Sequence, residues 1–384
     1  MPVLYTKQRQ INRNINEGHF LWQRLQVLYD IHMFYKKILR PIFFRLNPGF
    51  MHTLMIAVGE LCGAIPLKRM AISRIWGYRG PVIAKTVDGI SYERPVLLSA
   101  GFDCDGRLIR ILSSIGLGGE EIGSVTALPC AGAKDYGYTR LVRNNSIIVF
   151  KGLRNRGVDN IIARLQSKKR IKNFVVGISI ASTNNAHVSN EDEALQDYVT
   201  TFRKLNDANV GDYYTINISC PNAYKGETFA HPELLQKLIS ALQTIPTTKP
   251  VYFKMPINLE WSAFNELLAI IADSPYQGVV IGNLNKDYTS LDYPSDAPNE
   301  FRGGLSGKPC FAPSNELIRK TREAYGNRFT IIGTGGIFSG SDAMEKFHAG
   351  ADLVQLITGI IFEGPGLVKE ICHVYAKEYG TTEK

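Results

Sequence analysis

Cysteine is sparse in this chain of 384 residues, and its six copies (Cys62, Cys104, Cys130, Cys220, Cys310 and Cys372) show neither CxxC nor Cys/His ligand spacing. That scatter argues against a disulfide framework and a zinc site, predicts no metal, and fits a reducing compartment. The first 47 residues contain no serine and no small-residue cleavage site after a hydrophobic run, which speaks against signal and transit peptides. They also lack eighteen uninterrupted apolar residues, so a spanning helix is not expected there. The segment reads as retained and non-spanning.

What is present is a hydrophobic content of 45%, enough for one large core and a small accessory piece. The net charge of +9 is uneven, because residues 1–47 hold eight Lys/Arg against Glu17 and Asp30 and so carry +6 of it. Residues 33–46 interleave this base with aromatic and aliphatic bulk (Phe34, Phe43, Phe44, Leu46), and a second apolar helix is predicted over 51–62. Composition allows two readings, a helical pair lying in a membrane interface or a helical cap with a solvated basic face. The phenylalanines favour the interface.

From Tyr92 onward a short apolar run followed by an amphipathic stretch recurs eight times, with the runs at 95–101, 120–126, 173–180, 213–219, 250–255, 278–283, 330–336 and 353–359. Helical patterns lie between them at 105–115, 192–205, 232–245, 262–274, 313–325 and 339–348, several opened by Ser, Asp or Pro. Eight such units predict an α/β fold, a (β/α)8 TIM barrel over residues 76–384, with an N-terminal helical extension over 1–75.

The fourth run ends in Asn217-Ile218-Ser219-Cys220-Pro221-Asn222. A core strand has no packing reason to finish in amides, a hydroxyl and a thiol, and the carboxyl ends of barrel strands are where catalysis sits. Pro221 stops the strand and leaves Cys220 in a loop. A thiol with an ordinary pKa near ~8.5 needs only modest help to act as a base. Runs seven and eight end in Gly333-Thr334-Gly335-Gly336 and Thr358-Gly359, and residues 303–309 form a third glycine-rich loop. Bare main-chain N–H groups at these strand ends predict a bound phosphate, with the helix beginning near Ser339 adding its dipole.

These motifs, together with Ser99-Ala100-Gly101-Phe102-Asp103, Glu121-Ile122-Gly123-Ser124-Val125-Thr126 and the basic stretch through Leu39-Arg40-Pro41, resemble dihydroorotate dehydrogenases over nearly the whole length. The extension resembles that of the quinone-linked, membrane-associated class. The resemblance implies FMN, held by Ala100, Gly101, Ser124, Ser179, Asn217, Lys254, Gly307, Gly335, Gly336 and Thr358. It implies that Asn217, Asn222 and Asn283 bind dihydroorotate or a related dihydropyrimidine, and that Cys220 removes the proton while hydride leaves for flavin N5. Quinone is the implied electron acceptor, reached by peripheral contact with the cytoplasmic side of the cell membrane.

The chain departs from the family pattern around one pocket. Cys104 stands where the quinone-linked enzymes carry a lysine, Val149 stands for an asparagine in the loop after strand two, and Ser179, Leu284 and Ile357 replace an asparagine, a threonine and an aromatic. Lys151 is the candidate to restore the missing charge toward the substrate. Two other classes stay open: a dihydrouridine-synthase-like reductase, disfavoured because the base precedes the barrel and nucleic acid is not an expected partner, and a non-catalytic flavoprotein binding module.

Overall fold

A computed structural model describes residues 34–133, 137–185, 187–219, 229–298 and 303–381. Thirteen strands are present among them: β1 (Lys85–Val87), β2 (Ile90–Tyr92), β3 (Val96–Leu98), β4 (Gly119–Val125), β5 (Gly137–Leu141), β6 (Ser146–Phe150), β7 (Val175–Ile180), β8 (Tyr213–Asn217), β9 (Val251–Met255), β10 (Gly278–Ile281), β11 (Gly304–Gly307), β12 (Thr330–Thr334) and β13 (Leu353–Leu356). Eight of them close a parallel barrel in chain order, β3-β4-β7-β8-β9-β10-β12-β13, with β13 returning to β3. These are the eight apolar runs of the sequence. Every residue of β8 and β9 is buried, as expected of parallel strands covered on both faces.

The interior is layered. The β1–β2 hairpin sends Val87 and Tyr92 into a cluster with Leu97, Tyr213, Tyr252 and Leu353 near the amino ends of the strands. Above it, Glu121 Oε2 accepts from Thr215 Oγ1 at 2.8 Å, Gln355 Nε2 at 3.0 Å and Tyr213 OH at 3.3 Å. All four side chains are fully buried, so one carboxylate cross-links strands β4, β8 and β13 inside the barrel.

Five predicted helices appear nearly as placed, at Glu191–Asp207, Pro232–Gln243, Trp261–Ala272, Phe311–Tyr325 and Gly340–His348. The helix predicted over 105–115 is shorter: it covers only Ile109–Ser114, because the Asp103 carboxylate accepts the N–H groups of Asp105 and Leu108 and holds the preceding turn as a loop. Two loop readings are corrected as well. Val149 and the glycine-rich stretch from 303 lie in a three-stranded antiparallel sheet, β11-β6-β5, where Val149 pairs with both Tyr138 and Gly304. Its small core of Leu141, Ile148, Leu291 and Leu305 is assembled from segments far apart in the chain, which leaves no local periodicity to read.

Contacts divide the chain into two compact units, residues 1–46 and 47–384. In the first, a π-helix at Tyr35–Leu39 runs into the helix Arg40–Arg45, with Pro41 in its opening turn. In the second, the helix Pro48–Ala64 starts where Asn47 Oδ1 accepts from Gly49 N (2.9 Å) and Phe50 N (3.1 Å). The break at Ile65 turns the chain by 108° into the helix Pro66–Trp76. Gly63 lets the first of these helices press on Ile109–Ser114, since a Cβ there would sit 3.2 Å from Arg110 Cβ. Its outward side leaves Phe50, Leu54, Val58 and Leu61 exposed. Among the described residues no single helix is long and apolar enough to cross a membrane, although this bent pair passes that test by length and composition together.

Exchanging Glu121 for alanine would orphan three buried donors. The expected cost is ~3 kcal/mol of stability, with glutamine at the same position costing less. Melting temperatures of the two variants check it, and equal melting of alanine variant and parent would refute the cross-link.

Candidate active site

Four strand ends and the segments that follow them meet through the side chain of Asn217, the last residue of β8. Its Nδ2 donates to Ser124 Oγ at 2.9 Å, and Ser124 Oγ lies 2.8 Å from Ser179 Oγ, joining the ends of β4 and β7. Its Oδ1 accepts from Ser219 N (3.3 Å) and Ser219 Oγ (3.2 Å). Asn283 Nδ2, just past β10, donates to Ser219 O (2.7 Å) and Ser219 Oγ (2.6 Å). From outside the barrel, Tyr198 OH donates to Asn217 O at 2.7 Å. The neighbouring β9 places Lys254 opposite Asn217 in register, buried, with Nζ 3.5 Å from Ser99 Oγ at the end of β3.

Beside this network opens a cleft of about 520 Å³, counting its mouth. Ala100, Lys254, Asn283, Gly307, Gly335, Gly336 and Thr358 line it, joined by Ser99, Ser306 and Gly359. Gly335 and Gly336 have φ of 101° and 76°, and a Cβ on Gly336 would stand 2.4 Å from Phe311 Cβ, so the chain turns here with its backbone bare. Thr358 Oγ1 donates to Ser306 Oγ at 2.9 Å, tying the segments around these two residues together. No described residue of the lining is an acid, and Lys254 is its cation. Cys310 also lines the cleft, but burial pushes its thiol up to about 11 and it donates to Leu305 O at 3.2 Å, so its role is packing.

One sequence expectation fails at this end of the barrel. The helix that follows Ser339 does not offer its amino terminus to a ligand, because Gly340 N donates to Glu370 Oε1 (2.7 Å) and Asp342 N to Ser339 Oγ (3.1 Å). Two of its first donors are thus held by the chain's own side chains, and neither Ser339 nor Gly340 lines the cleft. The cleft is instead lined by Thr358 and Gly359, which open the helix Thr358–Glu363.

Gly101 and Lys151 meet at the edge of the site, where Lys151 Nζ donates to Gly101 O at 3.0 Å and touches Cys104 Sγ. Burial pushes the Cys104 thiol up, with Lys151 drawing it partly back. For Lys151, burial opposes the charge but contacts with Cys104 and Tyr138 outweigh it, holding the ammonium above the usual lysine range. A protonated thiol adds little to an ammonium, so the two directions pull against each other. The Gly101 carbonyl decides in favour of a charged lysine beside a neutral thiol. Behind them His52, from the helix Pro48–Ala64, shares a hydrogen of its ring with Phe102 O at 2.8 Å and stands edge-on to the Phe102 ring.

The residues singled out in the sequence therefore converge: seven line the cleft, Ser124, Ser179 and Asn217 form the hydrogen-bonded chain beside it, and Gly101 and Lys151 meet at its edge. Cys220 and Asn222 lie outside the described residues. Sequence reasoning gave no role to Ser219 or Ser306. Their only signal was a small hydroxyl residue beside motif glycines and asparagines, which packing alone also produces.

The family profile "Dihydroorotate dehydrogenase" matches residues 82–377. The chain belongs to the dihydroorotate dehydrogenase family. Among curated relatives, the dihydroorotate dehydrogenase (quinone) of Christiangramia forsetii is 34% identical over 341 residues, covering 88% of this chain and 97% of that one. That of Synechococcus sp. is 32% identical over 321 residues, covering 80% and 83%. The crystal structure of DHODH from Eimeria tenella in complex with ferulenol superposes with a TM-score of 0.75 at 22% identity, covering 88% of this chain and 94% of that one, and supports the barrel fold. The family uses FMN, and the cleft fits it. Glycine backbone and hydroxyl donors with no acid suit a phosphate, and a lysine with an amide network suits the polar edge of a flavin ring.

Two outcomes are expected. Replacing Gly336 by alanine should strip flavin from the purified protein, read as the flavin-to-protein ratio, whereas a retained ratio would place the cofactor elsewhere. The His52 imidazole is lowered to about 4, by burial first and then by Lys151. Its folded pKa lies below the unfolded value near ~6.5, so its contribution to stability is complete above that value and is lost as pH falls toward 4. Melting temperature followed over that window should fall less steeply in His52→Gln, and an unchanged slope would remove His52 as the cause.

Proposed function

We propose that this protein is an FMN-dependent dihydroorotate dehydrogenase of the quinone type, oxidising dihydroorotate to orotate in pyrimidine biosynthesis. The observation that carries the reading is the juxtaposition of a glycine-lined, acid-free cleft with the Asn217–Ser124–Ser179 and Asn283–Ser219 networks at the carboxyl ends of the barrel strands. When bound, FMN supplies a hydride acceptor that is later reoxidised by quinone. Gly307, Gly335, Gly336 and Thr358 would hold its phosphate, and Ala100, Gly101, Ser124, Ser179, Asn217 and Lys254 would hold its ring. Cys220 is the base that takes the proton alpha to the carbonyl, following directly on Ser219, whose backbone and hydroxyl are held by Asn217 and Asn283.

Asn217, Asn222 and Asn283 orient the substrate ring, since an amide offers both a donor and an acceptor. Lys151 supplies the positive charge for the substrate carboxylate. Its ammonium reaches Gly101 O from the β6 side and sits against Cys104, so a lysine from the hairpin sheet fills the ground where this chain has a cysteine. Residues 1–75 act as the membrane-facing extension, and the protein is peripheral on the cytoplasmic side of the cell membrane. The exposed apolar side of the bent helix pair, and relatives whose names include quinone, support that reading.

Anaerobic addition of dihydroorotate should bleach the flavin band stoichiometrically. A yellow protein that does not bleach would reject dihydroorotate as donor. Cys220→Ala should keep the colour and slow reduction by at least ~100-fold, the scale of general base catalysis. An unimpaired rate would remove Cys220 as the base. Lys151→Met should raise the half-saturating dihydroorotate concentration more than ~10-fold, as loss of a charge-assisted contact does.

A further inference from the structure

Away from the active site, a groove of about 810 Å³ opens to solvent beside the helix Ile109–Ser114, the end of the helix Val158–Ser167 and the loop that leads into β7. Its floor is apolar, with Leu165 and Phe174, and its walls carry Arg110, Lys168, Lys169 and Arg170. Asp212 is the acid in the lining, and it is already engaged by Arg170 and by Val176 N at 2.8 Å. Lys168 is partly offset by Glu60 at 3.3 Å, a carboxylate it shares with Arg107 and Arg164. Arg110 and Lys169 have no acidic partner among the described residues, and Arg110 Nε is buried with no hydrogen-bond acceptor. An arginine guanidinium matches a phosphate oxygen pair in charge and shape, and a lysine adds a point charge beside it.

The position of the groove says which phosphate. Arg110 packs under Gly63, and Lys168 binds Glu60, so two of its four bases are fixed to the helix Pro48–Ala64. The far side of that helix and of its successor bares Leu61 (58% exposed) and Leu67 (69% exposed). An apolar surface on the helix pair, and beside the pair a cationic groove tied to it through Gly63–Arg110 and Glu60–Lys168, are the two halves of an interfacial membrane contact. We infer that the groove binds the phosphate of an anionic lipid headgroup while the helix pair enters the acyl boundary. This rests on the peripheral-membrane reading above.

The test is flotation of the full-length holoprotein with phosphatidylcholine vesicles, with and without phosphatidylglycerol. Phosphatidylglycerol should strengthen binding, and Arg110→Gln/Lys169→Gln should weaken that gain roughly 25-fold, about 5-fold for each base, leaving binding to phosphatidylcholine alone unchanged. Lys169→Gln alone, at an exposed position that packing does not constrain, should show its own share. Lys237→Gln removes an exposed lysine elsewhere on the barrel. If it weakens binding as much as the groove variants, the effect is net charge and the site is overturned. Stabilisation by inorganic phosphate without any lipid preference would reassign the groove to a free phosphate and overturn the lipid source. Failure of the unmodified protein to bind either vesicle would overturn the membrane reading itself, and the lipid site with it.

Discussion

The side-chain hydrogen bonds of Asn217 hold the working end of this barrel together. A parallel barrel fixes its strands through backbone pairing, but their carboxyl ends run out into loops with no such constraint. Here one amide spans the gap, reaching Ser124 and through it Ser179 on one side, and Ser219 and through it Asn283 on the other. Tyr198 clamps the same residue from the outer helix layer. Each of these groups is buried or half-buried, so a lost member leaves its neighbours unsatisfied, and the set stands or falls as a unit.

Opposite this network the chain does the reverse and strips side chains away. Gly335 and Gly336 turn with positive φ against Cys310 and Phe311, while Thr358 and Ser306 bond each other across the cleft wall. One face is therefore rich in side-chain hydrogen bonds and the other in bare backbone, which is the asymmetry a cofactor with a phosphate tail and a polar ring requires. The three-stranded sheet of β5, β6 and β11 joins the two, because Ser306 lies on β11 and Lys151 follows β6 directly. Cys104 in one loop is thus brought against Lys151 from a distant segment of the chain.

Much of this was legible in the sequence. Eight apolar runs became eight barrel strands, since strands buried on both faces need continuous apolar stretches that periodicity reports directly. Most of the residues that line the cleft were also singled out, because an apolar strand that ends in amides, hydroxyls or consecutive glycines stands out from its own pattern. What stayed hidden depended on partners remote in the chain. Strand β11 looks like a glycine loop until β6 pairs with it, and the promising start of the helix at Gly340 is capped by Glu370 from the helix Gly366–Tyr379. The shortened helix at Ile109 was a local effect, Asp103 capturing N–H groups that would otherwise have begun a helix earlier.

The most direct measurement of the central claim, that the glycine-lined end of the cleft holds the phosphate of FMN, is the affinity of flavin-depleted protein for FMN against riboflavin, which lacks that phosphate. The account requires FMN to bind at one per chain and at least ~100-fold more tightly, since charge-assisted bonds to several main-chain N–H groups are lost with the phosphate. Equal affinity for the two flavins would contradict it.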